Sequence, residues 1–420
     1  MNASSRTDLH NTAREAAGAL SDAAAESCAA GHAAEPLYGR NFWLVFSANF
    51  ALNLNASLFV MLPAFVMHLG GGAAQIGAVI AAGGVAALAV RPLNGVGVDR
   101  LGCRWVAMRF LILDAAATAL YIPVASLGWP IYAVRAIHGA IDGTARVALF
   151  AMVYELLPAA RRGQAMATFT LCSMIPAALG PAIGEEIIAY LGFGQFFIAA
   201  AVVCLVSAAI ASRLPAGVSA THREAGKAAA AGGFIALLRD RALLPLWAIT
   251  LLWAVALASR TFVIPFAYQH GIARVGWYFM LYCGVAVVLR IFWAGLLDTV
   301  GLDRILAPAL VLTALGLALL ALTGRVGMLE LAALAGGAAH GYFYPALCAQ
   351  VIGHTRPEQM GRSSAIFNSL LDFGGMAGPY GLGLMANATG YGPMFLASAA
   401  IALGGAACHW RGAQAARALD

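Results

Sequence analysis

Four ionisable residues, Arg135, His138, Asp142 and Arg146, follow one another at steps of three, four and four inside a long apolar run. That spacing sets them on one face of a helix. A charge at membrane depth costs roughly 3 kcal/mol or more unless it pairs or meets water, so the stripe must face inward. Two chemistries fit it. Either Asp142 or His138 loads and releases a proton, or Asp142 forms a static pair with Arg146 or His138 that holds helices together. Asp372 lies in a similar run late in the chain and is a second candidate proton carrier. Other polar residues interrupt apolar runs at Asn49, Asn53, Trp253, Arg260, His340, Tyr344 and Asn368. Asn and His at such depth also serve as hydrogen bonds between helices, so packing alone explains any one of them. Together with Arg146 they are candidates for a shared substrate cavity. Its arginines suit a polar, anionic or zwitterionic solute better than a lipophilic cation.

The elements that must position these groups follow from composition. The chain has 420 residues, 61% hydrophobic and only 10% charged, against about 25% charged for a soluble domain. Apolar stretches of roughly 20 residues, the length of a membrane-crossing helix, recur along nearly the whole chain. Runs such as Phe42 to Val66 are continuous rather than alternating, which excludes a β-barrel and leaves helices. Twelve spans are expected, near 42–66, 75–97, 105–126, 130–157, 164–190, 193–213, 243–266, 275–297, 305–323, 328–353, 362–386 and 392–410. Residues 1–40 lack the apolar core of a secretory signal and read as a disordered cytoplasmic tail. A six-helix half is expected over 41–213, a cytoplasmic linker over 214–242, a second half over 243–410 and a short tail over 411–420.

With the N-terminus inside, the inner loops carry Arg100, Arg104, Arg161, Arg162, Arg304, Arg356 and Arg362, and the linker carries Arg223, Lys227, Arg239 and Arg241. The opposite loops carry Arg274 and Arg325. This bias places both termini in the cytoplasm, and it accounts for the net charge of +6 without a nucleic-acid partner. The seven cysteines show no paired spacing, so neither a disulfide framework nor a metal site is expected.

The chain repeats itself. Arg91, Asp99 and Gly102 recur as Arg290, Asp298 and Gly301 with identical internal spacing. Gly163, Phe169, Gly180 and Pro181 recur as Gly361, Phe367, Gly378 and Pro379, again with identical spacing and almost the same offset. Two parallel six-helix repeats follow, the plan of a transporter that binds solute at the repeat interface.

The segment from Gly95 through Asp99, Arg100 and Gly102 to Arg104 resembles the GxxxDRxGRR signature of the major facilitator superfamily, with Cys103 in place of the usual basic residue. In that family the charge cluster latches one conformation at the cytoplasmic face. Glu155, ahead of Arg161 and Arg162, resembles the acidic helix end that faces this loop, and Asp298 with Arg304 gives a weaker second copy. Arg135 with Gly139 resembles the fourth-helix motif whose arginine faces the cavity and is tied to proton coupling. Gly180, Pro181 and Gly184 resemble the core of the GPxxGG motif of efflux members, although Glu185 replaces the last glycine. Glycine and proline also serve simply to kink and pack helices.

No metal-ligand cluster, nucleophile elbow or Walker sequence is present, so neither an enzyme nor an ATP-driven pump is expected, and no cofactor. The expected function is proton-coupled export of a small organic solute across the inner membrane, as in the family's drug and metabolite antiporters. The partners are the solute, protons and the lipid bilayer. Import of a sugar or organic acid by proton symport is the rival, and a channel or receptor is the rival of another class. Internal duplication with a latch favours alternating access over a fixed pore.

Overall fold

The computed structural model describes residues 38–156, 168–215, 231–292, 300–323, 326–356 and 359–417, with side chains except at 95–100, 154–155, 231–233, 303, 326 and 412–417. The expected N-terminal tail lies almost wholly outside the described residues, as do much of the linker and the last three residues. Among the described residues every regular element is helical. Arg40–His68 forms α1, and Ala73–Leu101, Cys103–Ala119 and Trp129–Leu156 form α2, α3 and α4. Leu171–Ala211 bends at Gly192 into α5 (171–191) and α6 (193–211). Leu244–Gln269 is α7, Gly276–Phe292 α8, Leu302–Ala321 α9, Val326–Gly353 α10, Met360–Thr389 α11 and Tyr391–Arg417 α12. The twelve match the spans expected from hydropathy. Seven helices are long and apolar enough to cross a bilayer, counting Leu171–Ala211 once. The linker also holds a short helix, Ala231–Leu238.

The duplication is visible in the backbone. Among the described residues six glycines have φ between 69° and 89°: Gly70, Gly102 and Gly192 in the first half, Gly271, Gly301 and Gly390 in the second. They close the same three connections in each half, α1 to α2, α2 to α3 and α5 to α6, then α7 to α8, α8 to α9 and α11 to α12. A side chain at these left-handed positions would strain the turn. Proline repeats in the same way. In α1 a 3-10 turn, Phe59–Met61, precedes Pro63; in α7 a 3-10 turn, Ser259–Phe262, precedes Pro265. Each proline deprives the carbonyl four residues earlier of a donor, and the helix tightens there.

Within each half the packing also repeats. A methyl group on Gly139 of α4 would lie 2.3 Å from the Gly83 carbonyl oxygen of α2, and one on Gly337 of α10 would lie 2.3 Å from the Tyr282 carbonyl oxygen of α8. Such close crossings are how small residues hold helices together where lipid removes the hydrophobic drive. Gly180 is buried against Ser57 of α1 and Gly378 against Ala258 of α7, while Gly184 abuts Met61 and Phe196. The segment that resembles an efflux motif is therefore the α1–α5 contact.

Between the halves, α2 packs on α11 and α5 on α8. These contacts are tightest at the face away from the termini. A methyl group on Gly77 would sit 2.2 Å from the Pro379 carbonyl oxygen, and one on Gly276 would sit 2.4 Å from the Ala182 Cα. Glu185 of α5 reaches across at the same level. It accepts hydrogen bonds from the backbone N–H groups of Val275 (2.9 Å) and Gly276 (2.7 Å), at the start of α8, and from the Tyr268 hydroxyl (3.3 Å). A carboxylate there satisfies exposed N–H groups and complements the helix dipole.

Candidate substrate cavity and ion-pair network

A cavity of about 740 Å3 lies between the halves, bordered by α1, α5, α7, α8, α10 and α11. Thr170 and Ser173 at the start of α5 and Arg290 near the end of α8 line it on the side of the chain termini. A second lobe of about 420 Å3 between α2, α4 and α11 shares Leu371 and Gly375 with it. A deeper lobe of about 240 Å3 shares Ala56, Val60 and Arg260 with the first and Ile80 and Arg135 with the second. The three form one space at the interface of the repeats, closed at its far end by the contacts just described.

Asp142 and Arg146 face the second lobe and pair with each other, Arg146 Nη2 donating to both carboxylate oxygens at 2.8 and 3.0 Å. Arg146 Nη1 also donates to Asn53 Oδ1 of α1 (3.2 Å). Arg135 lines the second and third lobes. Asp372 is paired as well: Arg91 of α2 donates to it at 2.5 Å across the boundary between halves. Arg91 drew notice in the sequence only as part of the repeat, because its partner is 281 residues away.

His138 departs from the other three. It does not line the cavity but is buried inside the first half, its Nε2 3.3 Å from Asp114 Oδ1 and its Nδ1 3.3 Å from the Tyr121 hydroxyl. Asp114, on α3, is fully buried and also accepts from Asn55 (3.3 Å) and Cys204 (3.2 Å). Sequence reasoning missed this acid. It stands alone in an apolar run, and its partners come from α1, α4 and α6.

The C-terminal wall holds Trp253, Arg260, His340 and Tyr344 as expected, and adds Tyr282 and Arg290. Arg260 lies over the Tyr282 ring, 4.5 Å from its centroid, and Arg290 over the Tyr344 ring at 5.7 Å. Three atoms in this wall are buried without a hydrogen-bond partner: Trp253 Nε1, Arg260 Nε and His340 Nδ1.

Two expected cavity residues are not in the cavity wall. Asn49 is buried and donates to the Val45 carbonyl of its own helix (2.9 Å), and Asn368 is half-buried and donates to the Ser364 carbonyl (2.8 Å). Both return their amide to the preceding turn. Of the expected latch, Gly102 forms the left-handed turn between α2 and α3. Arg104 donates to the Ser212 carbonyl at the end of α6 (2.5 Å), tying α3 to α6. Arg304 is exposed beside Ile305 and Tyr342. The side chains of Gly95 through Arg100, including Asp99, and of Glu155 lie outside the described residues, as does Asp298 altogether.

The sequence matches the Major Facilitator Superfamily over residues 44–273 and 268–418. The chain belongs to the major facilitator superfamily. Solved structures agree on the fold of this facilitator. It is similar to the nucleoside transporter NupG at 14% identity, with a TM-score of 0.75 over 89% of this chain and 99% of the other. A bacterial homolog of the human lysosomal transporter Spinster, in an inward-facing unoccupied conformation, is similar at 12% identity and a TM-score of 0.73, covering 91% and 98%. The human organic anion transporter MFSD10 is similar at 20% identity and 0.62, covering 89% and 100%. Among curated proteins no sequence relative was found. The facilitator is thus a multi-pass membrane protein and a transporter of the secondary type, not an enzyme.

Proposed function

We propose that this facilitator is a proton-coupled exporter of a small polar organic solute, seated in the inner membrane with both termini in the cytoplasm. The observation that carries the reading is the ion pair between Arg91 and Asp372, which joins the two halves inside the solute space. Alternating access rocks one half against the other. An acid whose arginine partner sits on the opposite half changes surroundings as the halves move. Close to the guanidinium the carboxylate form is favoured, and away from it in an apolar wall the protonated form is favoured, so one proton can be taken up and released per cycle. Asp142 is a second candidate carrier, paired with Arg146 on its own helix, so a side-chain movement rather than the rocking of the halves would open it, and Arg135 lines both lobes beside it.

The orientation rests on the positive-inside bias. Export is supported by the Gly180, Pro181 and Gly184 segment and by a cavity that reaches the terminus-bearing side, where an exporter loads. The domain boundaries and the latch at Asp99, Arg100 and Glu155 belong to the same proposal. Purified protein in vesicles with an imposed pH gradient tests it, after profiling metabolites inside and outside cells with and without the gene has named the solute. Accumulation inside the deletion strain and solute movement driven against the proton gradient are expected. Proton-driven uptake in the same direction as protons would establish symport instead, and absence of counterflow would establish a pore.

A further inference from the structure

Among the described residues the buried and cavity-lining aspartates are paired, whereas Arg135, Arg260 and Arg290 face the solute space with no acid within salt-bridge distance, and two of these three share one wall. Around Asp142, Asp114 and Asp372 each acid has a basic partner within 3.3 Å. The lining of the 740 Å3 cavity contains two guanidinium groups, Arg260 and Arg290, and no aspartate or glutamate. Arg290 bonds only weakly to its surroundings, through the Gly341 carbonyl at 3.4 Å and the Met174 sulfur at 3.6 Å. A buried cation without a counter-charge is costly, and so is a buried donor without an acceptor. Both defects occur on the same wall.

The orphaned atoms give the shape of what is missing. Trp253 Nε1 and Arg260 Nε are obligatory N–H donors that never accept, so only an acceptor satisfies them. Trp253 is 2% exposed and borders the cavity, so an acceptor reaches its N–H from that side with a small shift of the wall. Tyr282 and Tyr344 hold one face of Arg260 and of Arg290, so a ligand approaches along the planar N–H edges, which at Arg290 make only the two long contacts above, and an edge of that kind suits a carboxylate.

We propose that the wall formed by Arg260, Arg290, Trp253 and His340 is a binding site for a small organic anion bearing carboxylates, two of them matching its two uncompensated cations. One carboxylate engages the edge of Arg260 and the Trp253 indole N–H, and the second meets Arg290 toward the mouth of the cavity. His340, its ring 5.3 Å from that of Trp253 and tilted by 39°, contributes its unpartnered Nδ1 as a further polar contact. The site rests on the transport reading, since its ligand is the solute that the facilitator moves, and it names the chemical class of that solute.

Binding to detergent-purified protein tests the site without any transport. Thermal unfolding is followed by light scattering at matched ionic strength with succinate and phthalate, with their neutral diamides, and with the dication putrescine. The dicarboxylates are expected to raise the unfolding midpoint in a saturable way and the diamides and putrescine are not. Arg260→Gln and Arg290→Gln should each weaken apparent binding by about tenfold or more, the scale of one charge-assisted hydrogen bond. If either glutamine variant fails to fold, Trp253→Phe keeps the aromatic packing and removes only the N–H, and it too should weaken binding. Equal stabilisation by the diamides or by putrescine overturns the site, as does dicarboxylate binding unchanged in these variants or absent from the native protein. Dicarboxylate binding with no pH-driven movement in vesicles would leave the site standing and remove the proton-coupled reading. Proton-driven transport of a solute without a carboxylate would do the reverse.

Discussion

The two halves share one backbone plan, and their polar interiors have diverged. The matched crossings at Gly139 and Gly337 put Asp142 and Arg146 of α4 at the level of His340 and Tyr344 of α10. Where the first half keeps an acid and a base four residues apart, the second keeps an imidazole and a phenol. In the first half Asp142 pairs with Arg146 and Asp114 with His138, and Arg135 alone has no acid within salt-bridge distance among the described residues. The second retains Arg260 and Arg290 without acids, and the one aspartate on its cavity wall, Asp372, reaches across to Arg91. Duplication thus supplied two equivalent walls. One became a set of switchable pairs and the other a surface that lacks a partner.

The sharpest way to break this comparison is to neutralise the switchable acids. In Asp142→Asn and Asp372→Asn, pH-driven accumulation should fall at least about tenfold for the residue that couples. Exchange at equal pH should persist, because the wall of Arg260 and Arg290 is intact. Vesicle flux with and without a pH gradient measures both, and unchanged gradient-driven flux in both variants would remove these aspartates from the coupling step. Next in size is Asp114→Ala. It leaves His138 and Asn55 without their buried partner and should lower stability by about 3 kcal/mol, read as a loss of folded yield and a lower unfolding midpoint.

A smaller effect is expected from Asp99→Asn, in the segment that resembles the family latch. Transport should drop several-fold, about 1 kcal/mol in the balance of conformations, with normal insertion in the membrane. Full activity at normal expression would argue against a latch. The smallest effect sharpens the contrast between halves. Arg290→Gln removes a charge that has no acid partner among the described residues, so stability should stay within about 1 kcal/mol of the native value or rise. A loss as large as that of Asp114→Ala would show that Arg290 is a structural partner.

The fold was legible because lipid imposes length and apolarity on every span, and because Arg91, Asp99 and Gly102, and then Gly163, Phe169, Gly180 and Pro181, recur with the same spacing in the second half. The cavity was half legible. Steps of three, four and four from Arg135 put His138, Asp142 and Arg146 at about −60°, −20° and +20° around α4, at about 100° per residue. That is an arc wide enough to face two environments. His138 at its edge turns toward α3, while the other three meet the solute space. Asn49 and Asn368 were read as cavity groups because an amide in an apolar run looks like a site, yet their own helix carbonyls satisfy them. Arg290 was recorded only as a copy of Arg91. Its importance depends on what does not stand beside it, and a linear sequence does not display that.

The Glu185 contact with the start of α8 bears on how easily the far face unlocks. Its hydrogen bonds join a carboxylate to backbone N–H groups and a phenol, and water can take the place of each partner when the halves separate. Exchanging a carboxylate's hydrogen bonds for hydration costs about 1.5 kcal/mol or more per bond. Water replacing each partner still spares the far larger cost of an unpaired buried carboxylate, so the clasp yields when the halves part instead of barring them.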